Sequence, residues 1–243
     1  MNFFCCILLL MYSLSIQSNE LTFSNTQNLE KKYLLLLKKE FLFFPKDWKQ
    51  YIKIVPPPLL SSNQTKSEII KLIKLQSQRT ENNLVRINFE RSLYGFKFYN
   101  IYYLDILTNP ELKEVNKLFQ FYLNDLSIIT HKLKQTFNRV RPPFISKKLF
   151  SAITIPNHPS YPSAHAAQAY FISLVLSYVF PRNKSDFVND AKKIAFNREV
   201  AGVHYRSDSN AGFEVGKQFF DYIKNHRKNE LELIKLSLSR FKY

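Results

Sequence analysis

Along the 243-residue chain, apolar and polar positions recur with helical period through most segments, and prolines punctuate them. The first such segment, N-L-E-K-K-Y-L-L-L-L-K-K-E-F-L-F-F, is apolar on more than one face and stops at Pro45, which predicts a helix of about 15 residues. Pro56, Pro57 and Pro58 then fix φ and disfavour the α conformation before each ring, so the chain is extended there. Ser61 to Asn63 offer an N-cap to a helix whose apolar face is Ile69, Ile70, Leu72, Ile73 and Leu75, set against Lys66, Lys71 and Lys74. It ends near Thr80, beyond which a second helix with Leu84, Val85 and Ile87 starts. The Phe- and Tyr-rich stretch Phe89 to Leu107 is also assigned to helix. Pro110 suits the first position of a long helix with the stripe Leu118, Tyr122, Leu126 and Ile129, carrying Lys134 on its last turns until Pro142 and Pro143 stop it. A proline-rich loop runs to Pro162. Ser163 then stands as N-cap before A-H-A-A-Q-A-Y-F-I-S-L-V-L-S-Y-V-F, apolar nearly all round and so the most buried helix. A turn at Pro181 to Ser185, a helix from Asp186 to about Ala201, and a last helix capped by Ser209 or Asn210 lead into a Lys-rich tail. The fold class is all-α, a single-domain helical bundle.

Composition supports helices. Four glycines, 22 Phe and 14 Tyr leave few turn signals for a strand-rich fold. The length suits one domain with a real core. Residues Asn2 to Ser18 carry no charge and include the run F-F-C-C-I-L-L-L-M-Y, which reads as a signal peptide over 1–18, or as an uncleaved anchor in its place. The domain then spans 19–243, and the protein is expected to be exported, periplasmic or secreted. Both cysteines, Cys5 and Cys6, lie in the leader, so the remainder has no disulfide. No later stretch reaches the roughly 18 apolar residues of a membrane span, which excludes a multi-span domain. The net charge of +16 attracts anions, but the basic residues are scattered and form no block that would mark a nucleic-acid site.

Three short strings concentrate oxyanion-holding chemistry between Lys134 and Asp208. K-Q-T-F-N-R-V-R-P places Lys134 and Arg141 seven residues apart, so that on one helix they share a face about 10 Å apart along the axis. Y-P-S-A-H supplies Ser163, Ala164 and His165, and the first unpaired N–H groups of the helix they open lie at the positive end of its dipole. N-R-E-V-A-G-V-H-Y-R-S-D supplies Arg198, His204 and Asp208; an unbroken helix would hold Arg198 and His204 about 120° apart, which predicts a break near Gly202. Asp208, four beyond His204, reaches one imidazole nitrogen and fixes the tautomer. No H-E-x-x-H or paired Cys/His pattern occurs, and three cations repel a divalent ion, so the site is expected to be metal-free.

In order and spacing these strings resemble the signature of the type 2 phosphatidic acid phosphatase superfamily, which includes class A acid phosphatases and vanadium-dependent haloperoxidases. Lys134, Arg141, Pro142, Pro162, Ser163, His165, Arg198, His204 and Asp208 match its pattern, while Ala164 stands where Gly is usual and Asn197 where Ser is usual. P-P-P-L-L, L-Q-S-Q-R-T and S-D-S-N-A-G extend the resemblance over Pro56 to Gly216, closest to the soluble members. It implies phosphomonoester hydrolysis with His204 as nucleophile and His165 as acid and then base. Lys134, Arg141, Arg198, Ser163 and the Ala164 N–H would hold the oxygens, and a small phosphorylated compound would be the substrate. Arg139 matches a further arginine of the class A acid phosphatases, though Phe137 stands where Tyr is usual before it. No cofactor is implied unless the chain is a haloperoxidase, in which case vanadate would bind through His204. A basic helical protein that binds nucleic acid or anionic surfaces is the reading from another class, and it has no need of His204.

Overall fold

The computed structural model describes residues 21–24, 27–92 and 112–240, and the leader falls outside them. The described residues form helices joined by coil, with one isolated bridge between Thr22 and Arg139. In chain order the helices are α1 (Lys31–Leu37), α2 (Asn63–Ser77), α3 (Glu81–Ser92), α4 (Lys113–Phe137), α5 (Pro142–Ile145), α6 (Ala164–Val179), α7 (Lys184–Val200), α8 (Arg206–His226) and α9 (Lys228–Leu238).

Helix α6 sits at the centre, packed chiefly against α7 and α8. Its uniformly apolar surface requires such burial: Phe171, Ile172, Val175 and Leu176 meet Tyr122, Leu126 and Ile129 of α4, Val215 and Phe219 of α8 and Ile194 of α7 in one core. Side chains of this size contribute about 1.5–3 kcal/mol each when fully buried. Two glycines bring α8 close enough to position the chemistry. A Cβ at Gly212 would lie 2.5 Å from the Ser163 carbonyl oxygen, and one at Gly216 would lie 2.4 Å from that of Ala167. The N-terminus of α6 is thereby pressed onto the first turns of α8.

Several elements differ from the sequence-based expectation, each for a local reason. The first helix is only seven residues long, because the buried carboxylate of Asp125 draws the chain off the helical path. It accepts the backbone N–H groups of Leu42, Phe43 and Phe44 at 2.7–3.1 Å. Ile70 is 68% exposed, so the buried face of α2 is narrower than its apolar residues suggest. Helix α4 ends at Phe137, where Asn138 turns left-handed at φ 47° and its N–H closes on the Lys134 carbonyl at 2.8 Å. Asn tolerates that conformation better than most residues. Pro142 and Pro143 therefore open α5 and do not end the long helix, and Arg141 does not share a helical face with Lys134. Helix α8 begins at Arg206, earlier than Ser209, because Asp208 accepts the Tyr205 N–H at 3.1 Å. The start expected at Pro110 and residues 93–107 of the aromatic stretch lie outside the described residues.

Ser62 caps α2 through the Thr65 N–H, Ser163 caps α6, and Gly202, at φ 78°, makes the break between α7 and α8. Among the described residues no helix is long and apolar enough to cross a membrane.

Candidate active site

The three sequence clusters converge on one pocket of about 570 Å³ lined by Lys134, Arg141, Ala164, His165, Arg198 and His204. Ser163 and Asp208 stand behind that surface, both fully buried. All eight residues singled out in the sequence thus meet, six on the wall and two in support.

Lys134 arrives from the last turn of α4 and donates Nζ to the carbonyls of Pro159 and Ser160 at 3.0 and 2.9 Å. Arg141, in the coil before α5, is pinned by the loop preceding α6. Its Nε donates to Pro156 O and His158 O at 3.1 and 2.8 Å, and its Nη1 to Val203 O at 2.8 Å. Arg198, at the end of α7, reaches Ile87 O at 3.0 Å and Glu90 at 3.4 Å through Nη2, while among the described residues its buried Nε has no hydrogen-bond partner. Burial lowers Lys134 well below the ordinary lysine range, with Arg141 adding to the shift and Asp208 opposing it. Burial also lowers Arg141, to about 10, against the pull of Asp208 and Glu30. Cations so desolvated regain stability when an anion enters.

Ser163 accepts the Ala166 N–H at 3.4 Å, which fixes the start of α6 and leaves its own hydroxyl hydrogen to donate elsewhere. Ala164 is the first helical residue and lies outside the left-handed region, so its methyl costs the turn nothing relative to Gly.

The Asp208 carboxylate lies 3.0 Å from His204 Nδ1 and 2.7 Å from Arg139 Nη1. Burial alone would raise its pKa, but Arg139, His204 and Lys134 outweigh it and hold the carboxyl below the ordinary range. An ionised carboxylate only accepts, so His204 Nδ1 carries the proton and Nε2 is bare, 3.5 Å from Arg141 Nη1. Burial lowers His204 to about 3, with Arg141 and Lys134 assisting and the bond to Asp208 opposing. His165 is lowered well below its ordinary value by burial and by Arg198, His204, Lys134 and Arg141.

Arg139 does not face the pocket as an oxyanion donor. It lies over the Tyr205 ring at 3.8 Å and donates to Asp208, to Ser207 Oγ at 2.7 Å and to Glu68 at 3.4 Å, so carboxylates neutralise it and it braces Asp208. Glu68 also accepts Ser207 N–H at 2.8 Å, tying α2 to the start of α8. Glu90, fully buried, accepts from Asn197 at 2.9 and 3.1 Å and from Arg86, so Asn197 in the unusual position serves to hold α3 against Arg198. Neither glutamate was legible beforehand: Arg86 and Glu90 are spaced like an ordinary surface pair, and Glu68 sits among lysines. The pocket wall also carries Tyr33, His131 and His158, none of them anticipated. His158, five residues before Ser163 in N-H-P-S-Y-P-S, was the one with a sequence signal. No group of three or more His, Cys, Asp or Glu among the described residues is arranged to hold a metal ion.

Comparison with known proteins bears on the family and the fold. Residues 120–220, which contain all three clusters, match the family model described as the PAP2 superfamily, so the resemblance read from the motifs holds. A curated relative, a non-specific acid phosphatase of Providencia stuartii, is 27% identical over 111 residues, 43% of this chain and 44% of that protein. The match thus spans less than half the length of that relative. Among solved structures, the first transmembrane PAP2 type phosphatidylglycerolphosphate phosphatase, from Bacillus subtilis, superposes with a TM-score of 0.51 at 19% identity, covering 70% of this chain and 89% of that one. A bacterial vanadium-dependent iodoperoxidase gives 0.58 at 17% identity over 72% and 52% of the two chains. An apo-type bacterial vanadium-dependent chloroperoxidase gives 0.60 at 12% over 84% and 57%. These likenesses concern the fold, which phosphatases and haloperoxidases share.

Proposed function

We propose that this chain is a metal-independent phosphomonoester hydrolase of the acid phosphatase type, acting through a phosphohistidine. The observation that carries the reading is the bare Nε2 of His204, its Nδ1–H held by Asp208, in one pocket with Lys134, Arg141 and Arg198. His204 Nε2 attacks phosphorus, the N–P bond forms, and the ester P–O bond breaks. His165 gives its proton to the departing oxygen. His165 then takes a proton from water as the water oxygen attacks phosphorus, the N–P bond breaks, and phosphate leaves. Asp208 stays ionised throughout and stabilises the imidazolium character of the phosphorylated ring. The three cations, the Ser163 hydroxyl and the first N–H groups of α6 stabilise the equatorial oxygens, where charge passes in the transition state.

His165 must be protonated for the first step, although burial and the neighbouring cations disfavour that form. A phosphate dianion offsets most of the positive charge that Lys134, Arg141 and Arg198 place around His165, which favours its protonated form when substrate binds. A divalent ion beside three buried cations is repelled, which supports metal independence.

The same cradle fits vanadate, a tetrahedral oxyanion. Held by the three cations with His204 Nε2 as its ligand, it would supply peroxide activation for halide oxidation. Hydrolysis of an aryl phosphate by purified protein, with and without chelator and beside bromide peroxidation with added vanadate, separates the readings. Chelator-resistant hydrolysis is the expected result. Activity abolished by chelator and restored by zinc or magnesium overturns the metal-free site, peroxidation without hydrolysis favours the haloperoxidase, and neither activity favours a binding protein.

A further inference from the structure

Lys134 and Arg141 are held largely by backbone carbonyls, and Arg141 has in addition an uncharged side-chain partner, His158. His158 Nδ1 lies 3.1 Å from Arg141 Nη2, on the pocket wall. We propose that His158 is a positioning residue for Arg141, a neutral acceptor that aims the guanidinium at the bound oxyanion. The proposal rests on the phosphate-site reading given above.

The tautomer follows from the neighbours. Pro159 O also lies 3.1 Å from His158 Nδ1, but it already receives Lys134 Nζ at 3.0 Å and Arg141 Nη2 at 3.3 Å. A carbonyl oxygen has two lone pairs, and a guanidinium nitrogen can only donate. His158 therefore keeps Nδ1 bare toward Arg141 and carries its proton on Nε2. Burial, together with Arg141, Lys134 and His131, lowers its pKa well below the ordinary histidine value and outweighs the opposing Pro159 carbonyl, so the ring stays neutral.

The ring is held as well as its charge state. Tyr33 of α1 stacks on His158 with centroids 5.5 Å apart and planes 13° from parallel, and His131 of α4 packs against both, 5.2 Å from His158 and 5.7 Å from Tyr33. His131 is itself oriented, since its Nδ1 donates to Ser127 O at 2.7 Å. The three rings form a wall that keeps His158 from rotating off Arg141. The consequence reaches the phosphate site because Arg141 Nη1, on the same rigid plane, lies beside His204 Nε2. Without the acceptor at Nη2 the guanidinium can shift within its cage of carbonyls, and it would present Nη1 to the reacting phosphoryl group less often.

Three properties of two variants test this: affinity for inorganic phosphate by calorimetry, the split between KM and kcat for an aryl phosphate, and thermal unfolding. His158→Phe keeps a ring against Tyr33 and removes the acceptor; His158→Asn keeps an acceptor near Nδ1 and removes the ring. Hydrogen bonds to charged groups correspond to roughly ten- to a hundredfold in affinity. The Phe variant should weaken phosphate binding by that factor and raise KM with it, while melting near the wild-type temperature, because four carbonyls still hold Arg141. The Asn variant should bind within about threefold of wild type by the same reasoning. If His158→Phe fails to fold, His158→Ala takes its place in the comparison. Phosphate binding unchanged in the acceptor-free variant, or lost equally in the Asn variant, overturns the proposal. Wild-type protein that binds phosphate yet hydrolyses no ester sinks the hydrolase reading alone, and wild type that binds no phosphate overturns both.

Discussion

Gly212→Ala asks whether the close approach of α8 to α6 sets the site. The added Cβ would lie 2.5 Å from Ser163 O and 2.7 Å from the Ala166 Cβ, where ordinary contact begins at 3.4 Å. The shortfall is about 0.9 Å, and because one partner is backbone, the helices themselves must part. Overpacking of this kind costs about 1–3 kcal/mol of stability. It also carries the Ser163 hydroxyl and the Ala164 and His165 amides away from His204, which α8 holds through Asp208. Misplacement by about 1 Å is expected to cost about a hundredfold in kcat/KM. Gly216→Ala is the control. Its Cβ would meet Ala167 O at 2.4 Å, the same insult one turn further from the pocket. Urea unfolding of both variants should show similar losses of stability, whereas kcat/KM for an aryl phosphate should fall less than about tenfold in Gly216→Ala. Wild-type activity and stability in Gly212→Ala, or equal activity losses in the two variants, refutes the reasoning.

Glu90→Ala leaves Arg198 buried without its carboxylate and should cost about 3–5 kcal/mol in chemical unfolding; Glu90→Gln should keep the fold and lower kcat/KM at least about tenfold, and full activity there would contradict its role. Asp125→Ala strands the N–H groups of Leu42, Phe43 and Phe44 and should also cost about 3–5 kcal/mol without changing KM for the protein that remains folded. Burial raises Glu199 to about 7, despite Arg206 and Ser209, so the folded state binds its proton more tightly than the unfolded chain does. Its contribution to stability is complete below about pH 4.3 and is lost as pH rises through 7, so Glu199→Gln should flatten the decline in melting temperature between pH 5 and 8. An unchanged slope would count against that burial.

Most helices were legible because their apolar periodicity coincides with strong boundary residues. Ser62 and Ser163 cap where expected, and the break at Gly202 follows from the need to bring Arg198 and His204 together. Periodicity failed where a distant side chain intervened. Nothing in the string from Leu29 to Phe44 tells that Asp125, on another helix, will capture three of its amides. Nor does the spacing of Lys134 and Arg141 tell that Asn138 ends the helix between them, so two residues expected on one helical face converge by a different route. The eight residues that converge on the pocket could be singled out because they lie in three contiguous strings. Glu68, Glu90 and His158, which hold Arg139, Arg198 and Arg141, were not, since a positioning group is defined by what it touches across the fold. Arg139, matched in the sequence to a further arginine of the class A acid phosphatases, takes its carboxylate partners from α2 and α8.

The central claim is that His204 Nε2 becomes covalently bonded to phosphorus. Rapid quench of the wild-type protein and of His165→Ala with a labelled aryl phosphate, followed by mapping of acid-labile, base-stable phosphate, tests it directly. His165→Ala removes the base of the second step and leaves a good leaving group able to depart, so label should accumulate on His204 to a larger fraction than in wild type, and His204→Ala should carry none. Phosphate found on the His204→Ala protein, or turnover in wild type with no labelled intermediate in either protein, would contradict the account.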